Sequence, residues 1–300
     1  MTKTHPAVAD GRLLPLRLYG VDHTARPTWK LAETVHFYRD VLGLPLIHTI
    51  SARGWGPETH PDFLHFFFDS GLGSTIAFFH YLGEAAPGWM SDRAGAKPWP
   101  EDHVFDANHT AWLVDDAATL QAWRDRLIAA GIEVSIETAH EVIESIYFRD
   151  PNGYFIEITR KLRPLEALDA SDAELTLQAA ITATQQAQRF GGLKSIDTVW
   201  SIKAQALASA RREDLSPVTI FVPDLPEFAC VAFAAEAMPG CAVSASRGGY
   251  IRIDSSEPVT FDRKAMGLRP ALWYGLFTGG VFGSIDYGRD RLTISPALKG

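Results

Sequence analysis

Thiols are scarce in this chain: 300 residues contain two cysteines, Cys230 and Cys241, too few for a disulfide framework or a thiolate zinc site. Any metal would have to be held by imidazole and carboxylate. Positive charge is also short. The formal net charge of −8 leaves no overall basic footprint for nucleic acid or anionic lipid, so the expected partner is a small molecule. No segment reaches the roughly 18 uninterrupted apolar residues of a spanning helix, and the first twenty residues lack the apolar centre of a signal peptide. A cytoplasmic protein with no membrane partner is expected. Histidine is missing from residues 141–300, because all ten lie earlier; imidazole chemistry therefore belongs to the first half.

What is present is a globular composition, 46% hydrophobic and 21% charged, with enough length for two domains. Two stretches share one order of elements. In the earlier, a strand around Leu18 to Thr24 leads to a helix bearing Leu31, Val35, Phe37, Tyr38, Val41 and Leu42 and closed by Gly43, then strands at Leu44 to Ile50, Phe63 to Phe68 and Ser74 to Tyr81. In the later, a strand at His109 to Val114 precedes a helix from the cap Asp116 to Ala130, ended by Gly131. Strands at Glu133 to Thr138, Ser145 to Phe148 and Tyr154 to Thr159 follow, the last two joined by the turn Asp150-Pro151-Asn152-Gly153. Both stretches read β-α-β-β-β.

Composition shifts at the polar run Arg160 to Pro164, which places a domain boundary between residues 1–164 and 165–300. The second part reads as a smaller α+β domain, with a helix over 172–189 and strands at Val218 to Val222, Ala242 to Ile253, Val281 to Asp286 and Arg291 to Ile294. Gly279-Gly280 precedes a strand rather than a helix, so no phosphate loop is formed. A structural or oligomerisation role is expected there, which suits a homo-oligomer.

The segments His23 with Phe37-Tyr38-Arg39-Asp40-Val41-Leu42-Gly43, and Tyr147-Phe148-Arg149-Asp150-Pro151-Asn152-Gly153 with Glu157, resemble the opening module and closing hairpin of the vicinal oxygen chelate superfamily of glyoxalases, bleomycin-resistance proteins and extradiol dioxygenases. The resemblance covers about residues 17–162, with modules at about 17–82 and 107–162. It implies an α+β fold in which two βαβββ modules form a cupped sheet around a metal. Carried over position by position, it puts metal ligands at His23, His109 and Glu157. The fourth ligand position of glyoxalase I falls near Ala77, which cannot ligate, so the resemblance implies a three-ligand site. Two imidazoles and a carboxylate leave open positions for a bidentate substrate and dioxygen. Fe(II) suits that set best and Mn(II) next, while structural zinc would call for thiolate.

Tyr147 lies ten residues before Glu157 and seven after His140. In extradiol dioxygenases the matching hairpin carries a tyrosine, and an upstream histidine acts as acid/base. The resemblance thus implies His140 for proton exchange and Tyr147 as a hydrogen-bond donor to developing oxyanion charge. The structural alternatives are that Tyr147 packs in the sheet and His140 caps a loop. Between Asp62 and Asp69, His65 and Phe67 share one strand face and could wall a pocket for an aromatic ring. His80 and His103 are spare polar residues, expected at the surface. The expected function is extradiol-type cleavage of a catechol-like ring with dioxygen. Two alternatives stay open: a lyase or isomerase of the same superfamily, and a metal-free module that binds a small molecule.

Overall fold

The computed structural model describes residues 20–54, 59–86, 88, 93, 95–96, 103–188 and 191–297. In the earlier module, β1 (His23–Pro27), α1 (Leu31–Val35), β2 (Leu46–Ala52), β3 (Phe63–Gly71) and β4 (Ser74–Tyr81) follow in the expected order. Of the expected first strand, Leu18 and Tyr19 lie outside the described residues; among the described ones, residues 20–22 are not strand, and pairing with β4 in the register His23↔Thr75 to Pro27↔Phe79 sets β1. The helix does not run regularly to Gly43, because His36–Val41 is a π-helical turn. The strands form a sheet in the order β1-β4-β3-β2.

Alternation gives this sheet two different faces. One is apolar and buried, with Phe66, Phe68, Ile76 and Phe78 all at 3% exposure or less. Tyr38 packs on it, its ring centroid 4.7 Å from Phe78 and 5.7 Å from Phe68. At about 1.5–3 kcal/mol per large apolar side chain buried, this face holds the module together. The opposite face carries His23, His48, His65, Phe67 and Phe79, and it is where the polar groups collect.

The later module contains α2 (His103–Asp106), β5 (Thr110–Val114), α3 (Ala117–Ala129), β6 (Thr138–Ala139), β7 (Ile143–Arg149) and β8 (Phe155–Lys161), with strand order β5-β8-β7-β6. Of the strand expected over Glu133 to Thr138, only Thr138 is strand, in the two-residue β6. Ser135 explains this: its hydroxyl accepts the Tyr147 N–H at 2.9 Å, where a continuous ladder would use a main-chain carbonyl. Ile146, Phe148, Ile156 and Ile158 form the buried face, and Phe148 meets Phe37 of the earlier module with ring centroids 6.2 Å apart. The turn between β7 and β8 needs glycine at position 153, where φ is +89° and a Cβ would come within 2.7 Å of the Arg93 Cβ.

By internal contacts the chain divides into two compact units. One comprises the residues up to Trp112 with Ala118–Ile136 and Ile146–Ile158; the other comprises Leu113–Ala117, Glu137–Ser145 and Thr159 onward. The second unit holds sheets β10-β11-β9-β13 and β12-β15-β14, built from β9 (Val218–Pro223), β10 (Ala242–Val243), β11 (Tyr250–Ser255), β12 (Val259–Asp262), β13 (Val281–Phe282), β14 (Ser284–Tyr287) and β15 (Arg291–Ser295). Two of the strands expected there are each broken in two, one of them at Gly283. The helix α4 (Ala167–Ala187) begins earlier than expected, because Glu166 and Asp169 form a capping box. It is joined by α5 (Ile196–Arg211), which the sequence reading lacks. Its buried stripe of Val199, Trp200, Ala204 and Leu207 is interrupted by Lys203, whose buried ammonium donates to Asp172, Thr176 and the Thr278 carbonyl. A charge at a core position hides the helical period.

Candidate metal centre

The two sequence motifs meet in a buried polar network. The Asp150 carboxylate accepts the N–H groups of Asn152 and Tyr154, each at 2.9 Å, and the Tyr38 hydroxyl at 3.1 Å. Asn152 in turn donates to the Thr34 hydroxyl at 2.9 Å and accepts from Thr28 at 2.8 Å. Burial first, then the Asp150 charge, pushes the Tyr38 hydroxyl well above the usual tyrosine range, so it stays a donor. Burial also raises the Asp150 carboxyl, and the bonds from Tyr154, Asn152 and Tyr38 work against that rise. Tyr38, Asp150 and Asn152 therefore tie α1 to the β7–β8 turn. They leave chemistry to the residues on the histidine-bearing faces.

On the later module's polar face, Glu157 is the third residue of β8 and is 4% exposed. Its Oε2 lies 2.9 Å from His109 Nε2. His109 stands one residue before β5, and its Nδ1 faces the carbonyl oxygens of Asp106 at 3.3 Å and Ala107 at 3.2 Å. Those carbonyls belong to the last residue of the one-turn helix α2 and the residue after it. Both ring nitrogens thus face oxygen acceptors, although a neutral imidazole carries only one N–H. A second ring proton satisfies the arrangement, and so does a cation shared by Nε2 and the carboxylate.

Tyr147 lies on β7 with its ring stacked on Phe155, centroids 5.3 Å apart, and Phe155 meets His109 edge-on at 6.4 Å. Both the packing expected of a sheet tyrosine and a place on the His109–Glu157 face are thus found together. Arg149, two residues further along β7, sets its guanidinium 4.9 Å from the Phe155 centroid. It forms a bidentate pair with Asp106 at 2.9 and 3.0 Å, in which both side chains are at most 5% exposed. Sequence reasoning missed Asp106 and assigned Arg149 nothing. The available signal was an acidic residue three positions before His109 and an arginine inside the turn motif.

His23 opens β1 on the earlier module's polar face, where its Nδ1 lies 2.7 Å from Asp22 Oδ1 and its ring is edge-on to Phe67 at 5.7 Å and to His65 at 6.5 Å. Burial first, then the neighbouring His23 and His48, holds His65 below the usual imidazole range. Its ring is stacked on Phe79 at 3.7 Å, so His65 and Phe67 do share an aromatic face. Ala77 is fully buried beside them. A cavity of about 520 Å³ opens where this face ends, lined by Pro27, Trp29, His60, Tyr81 and Glu84 among others. His80 is half-buried, its Nδ1 3.2 Å from the Thr28 carbonyl oxygen, and His103 is exposed at the start of α2.

The structure therefore brings His109 and Glu157 into direct contact and places Tyr147 on their face, while His23 sits among other imidazoles. Among the described residues no three His, Cys, Asp or Glu side chains gather closely enough to hold an ion. His140 occupies the link between β6 and β7, its N–H donating to the Ile143 carbonyl at 2.8 Å, and it belongs to the other compact unit. The donor chemistry of His109 and Glu157, a buried carboxylate against an imidazole oriented by main-chain carbonyls, fits a divalent metal that takes nitrogen and oxygen ligands.

Residues 20–158 match the family model described as the Glyoxalase/Bleomycin resistance protein/Dioxygenase superfamily. Among solved structures, a lactoylglutathione lyase from Agrobacterium tumefaciens is 23% identical, and the alignment covers 48% of this chain and 94% of that one with a TM-score of 0.33. A glyoxylase/bleomycin resistance protein/dioxygenase domain from Frankia sp. EAN1pec is 20% identical over 48% of this chain and 99% of its own, with a TM-score of 0.35. The fosfomycin resistance protein FosX from Listeria monocytogenes is 18% identical over 48% and 94%, with a TM-score of 0.33. No curated protein matches. The family match takes in both motifs and runs from before β1 into β8, and residues 20–158 belong to the Glyoxalase/Bleomycin resistance protein/Dioxygenase superfamily, also called vicinal oxygen chelate.

Proposed function

We propose that residues 20–158 bind one divalent metal through His109 and Glu157, with His23 as third ligand, and that the protein is an extradiol-type dioxygenase for a catechol-like aromatic compound. The observation that supports metal binding is His109 itself: its Nδ1 side is engaged by two main-chain carbonyls while its Nε2 faces a buried carboxylate. Fe(II) is the proposed metal and Mn(II) the next; when bound, it supplies Lewis acidity toward adjacent substrate oxygens and redox chemistry toward dioxygen. The protein's own groups do the rest. The half-buried Tyr147 ring, backed by Phe155 on the Glu157 face, offers an apolar surface suited to an aromatic ring. The Tyr147 hydroxyl can donate to oxyanion charge on the substrate. Ala77, where a fourth carboxylate could stand, leaves the site short of one protein ligand and so favours a reaction with two incoming ligands.

The test is anaerobic purification with metal analysis, followed by Fe(II) loading and oxygen uptake across a panel of catechols. Oxygen consumption with a yellow ring-fission product is expected. Anaerobic turnover of a carbonyl compound, with a diol bound but no oxygen consumed, would replace this reading by the lyase or isomerase. A protein that takes up no metal from any divalent supplement, yet binds aromatic compounds, would leave the binding-module reading.

A further inference from the structure

The geometry points to the Arg149–Asp106 pair as the positioning device that aims His109 at the metal. This inference rests on the metal-binding reading above and adds residues it did not include. Asp106 acts at two atoms. Its side chain is gripped by Arg149, with Nη1 on Oδ1 at 2.9 Å and Nη2 on Oδ2 at 3.0 Å. Its main-chain oxygen, with that of Ala107, faces His109 Nδ1. The guanidinium is fixed in turn by the Gly95 carbonyl at 3.1 Å, the Gly153 carbonyl at 3.0 Å and the Phe155 ring. One arginine thus connects the β7–β8 turn, α2 and the wall beside Glu157.

The need for such a device follows from the length of α2. A four-residue helix has little stability of its own, and its last carbonyls would otherwise wander. Clamping the Asp106 carboxylate from β7 fixes the peptide units at its end. Those carbonyls then accept the Nδ1 proton, which leaves the Nε2 lone pair directed toward Glu157. Outer-shell partners that set the tautomer and orientation of a ligating imidazole commonly alter metal affinity by about 10 to 100-fold. Arg149 does not itself ligate, since a guanidinium has no lone pair to give. A lysine could keep the charge but not the two-pronged grip.

The test uses the full chain and Zn(II) as a diamagnetic probe, with three readouts: affinity by chelator competition, the ring ¹⁵N signals of His109, and the melting temperature. Arg149→Lys is expected to weaken Zn(II) binding by about 10 to 100-fold and to convert the single His109 ring pattern, metal at Nε2 and proton at Nδ1, into a mixture. Because a lone charge in a buried site can unfold the protein, the double variant Arg149→Met with Asp106→Leu serves as a folded control. It should restore melting near the wild-type value while Zn(II) affinity stays low and the ring pattern stays mixed. Recovery of affinity and of the single pattern together with stability would overturn the inference and reduce the pair to packing. A wild-type protein that binds no Zn(II), Mn(II) or Fe(II) would instead defeat the metal-binding reading, an outcome visible before any variant is made.

Discussion

The two modules run through the same elements, yet their polar faces differ. In the later one a buried carboxylate on the last strand meets an imidazole that is oriented by main-chain carbonyls. In the earlier one the last strand offers Ala77, and the imidazoles His23, His48 and His65 pack with Phe67 and Phe79. A repeated backbone therefore does not impose a repeated site. One module presents a buried carboxylate against an imidazole, and the other an aromatic surface with His23 at its rim.

Removing the carboxylate should have the largest effect. Glu157→Ala is expected to lower divalent-metal affinity by more than about 100-fold, beyond the range for outer-shell changes, when read by chelator competition. His23→Ala made in parallel divides the contributions: an unchanged affinity there would assign the earlier module no ligand. Next in size is Tyr147→Phe, which should slow turnover by about 10 to 1000-fold while substrate binding holds nearly constant. A change confined to KM would make Tyr147 part of the wall only.

The comparison can also be broken from the other side. Ala77→Glu places a carboxylate in a fully buried position and should cost about 3 kcal/mol in chemical denaturation without metal; added Mn(II) should recover more stability in this variant than in the wild type. If Mn(II) gives no such recovery, position 77 is out of reach of the ion.

The smallest effect is the pH dependence of the imidazole face. Burial, followed by the charges of His23 and His48, depresses the His65 pKa in the folded protein below the 6.5 of a free imidazole. Between those two values the unfolded chain binds a proton that the folded chain does not. The stabilisation is present above pH 6.5 and declines as the pH falls toward the folded value, by no more than about 1.4 kcal/mol per pH unit. His65→Phe should remove that part of the acid slope in urea melts recorded across the range; an unaltered slope would place its origin in other groups.

Much of this architecture could be read from the sequence, because its signals are local. The βαβββ order followed from helical spacing, alternation and turn residues, and β4 runs over the expected Ser74–Tyr81. The strand over Glu133 to Thr138 misled because a single serine hydroxyl takes the place of a ladder. The helix α5 was hidden by Lys203, a charged residue whose partners lie far along the chain in Asp172 and Thr278. The site followed the same rule. His109 and Glu157 could be named from motif positions, whereas Asp106 could not, since its importance depends on an arginine 43 residues away. Contacts across such distances leave no periodic trace.

The network joining Tyr38, Asp150, Asn152, Thr28 and Thr34 has a consequence for how such chains are identified. The residues that make FYRDVLG and RDPNG recognisable are largely those of the joint between modules, and one of them, Arg149, reaches toward the His109–Glu157 pair through Asp106. A lineage could exchange every ligand and keep the joint, or keep the ligands while the joint drifted. Likeness in these motifs thus reports that two modules are fastened in a common way; the reaction depends on separate residues, those on the faces the modules present.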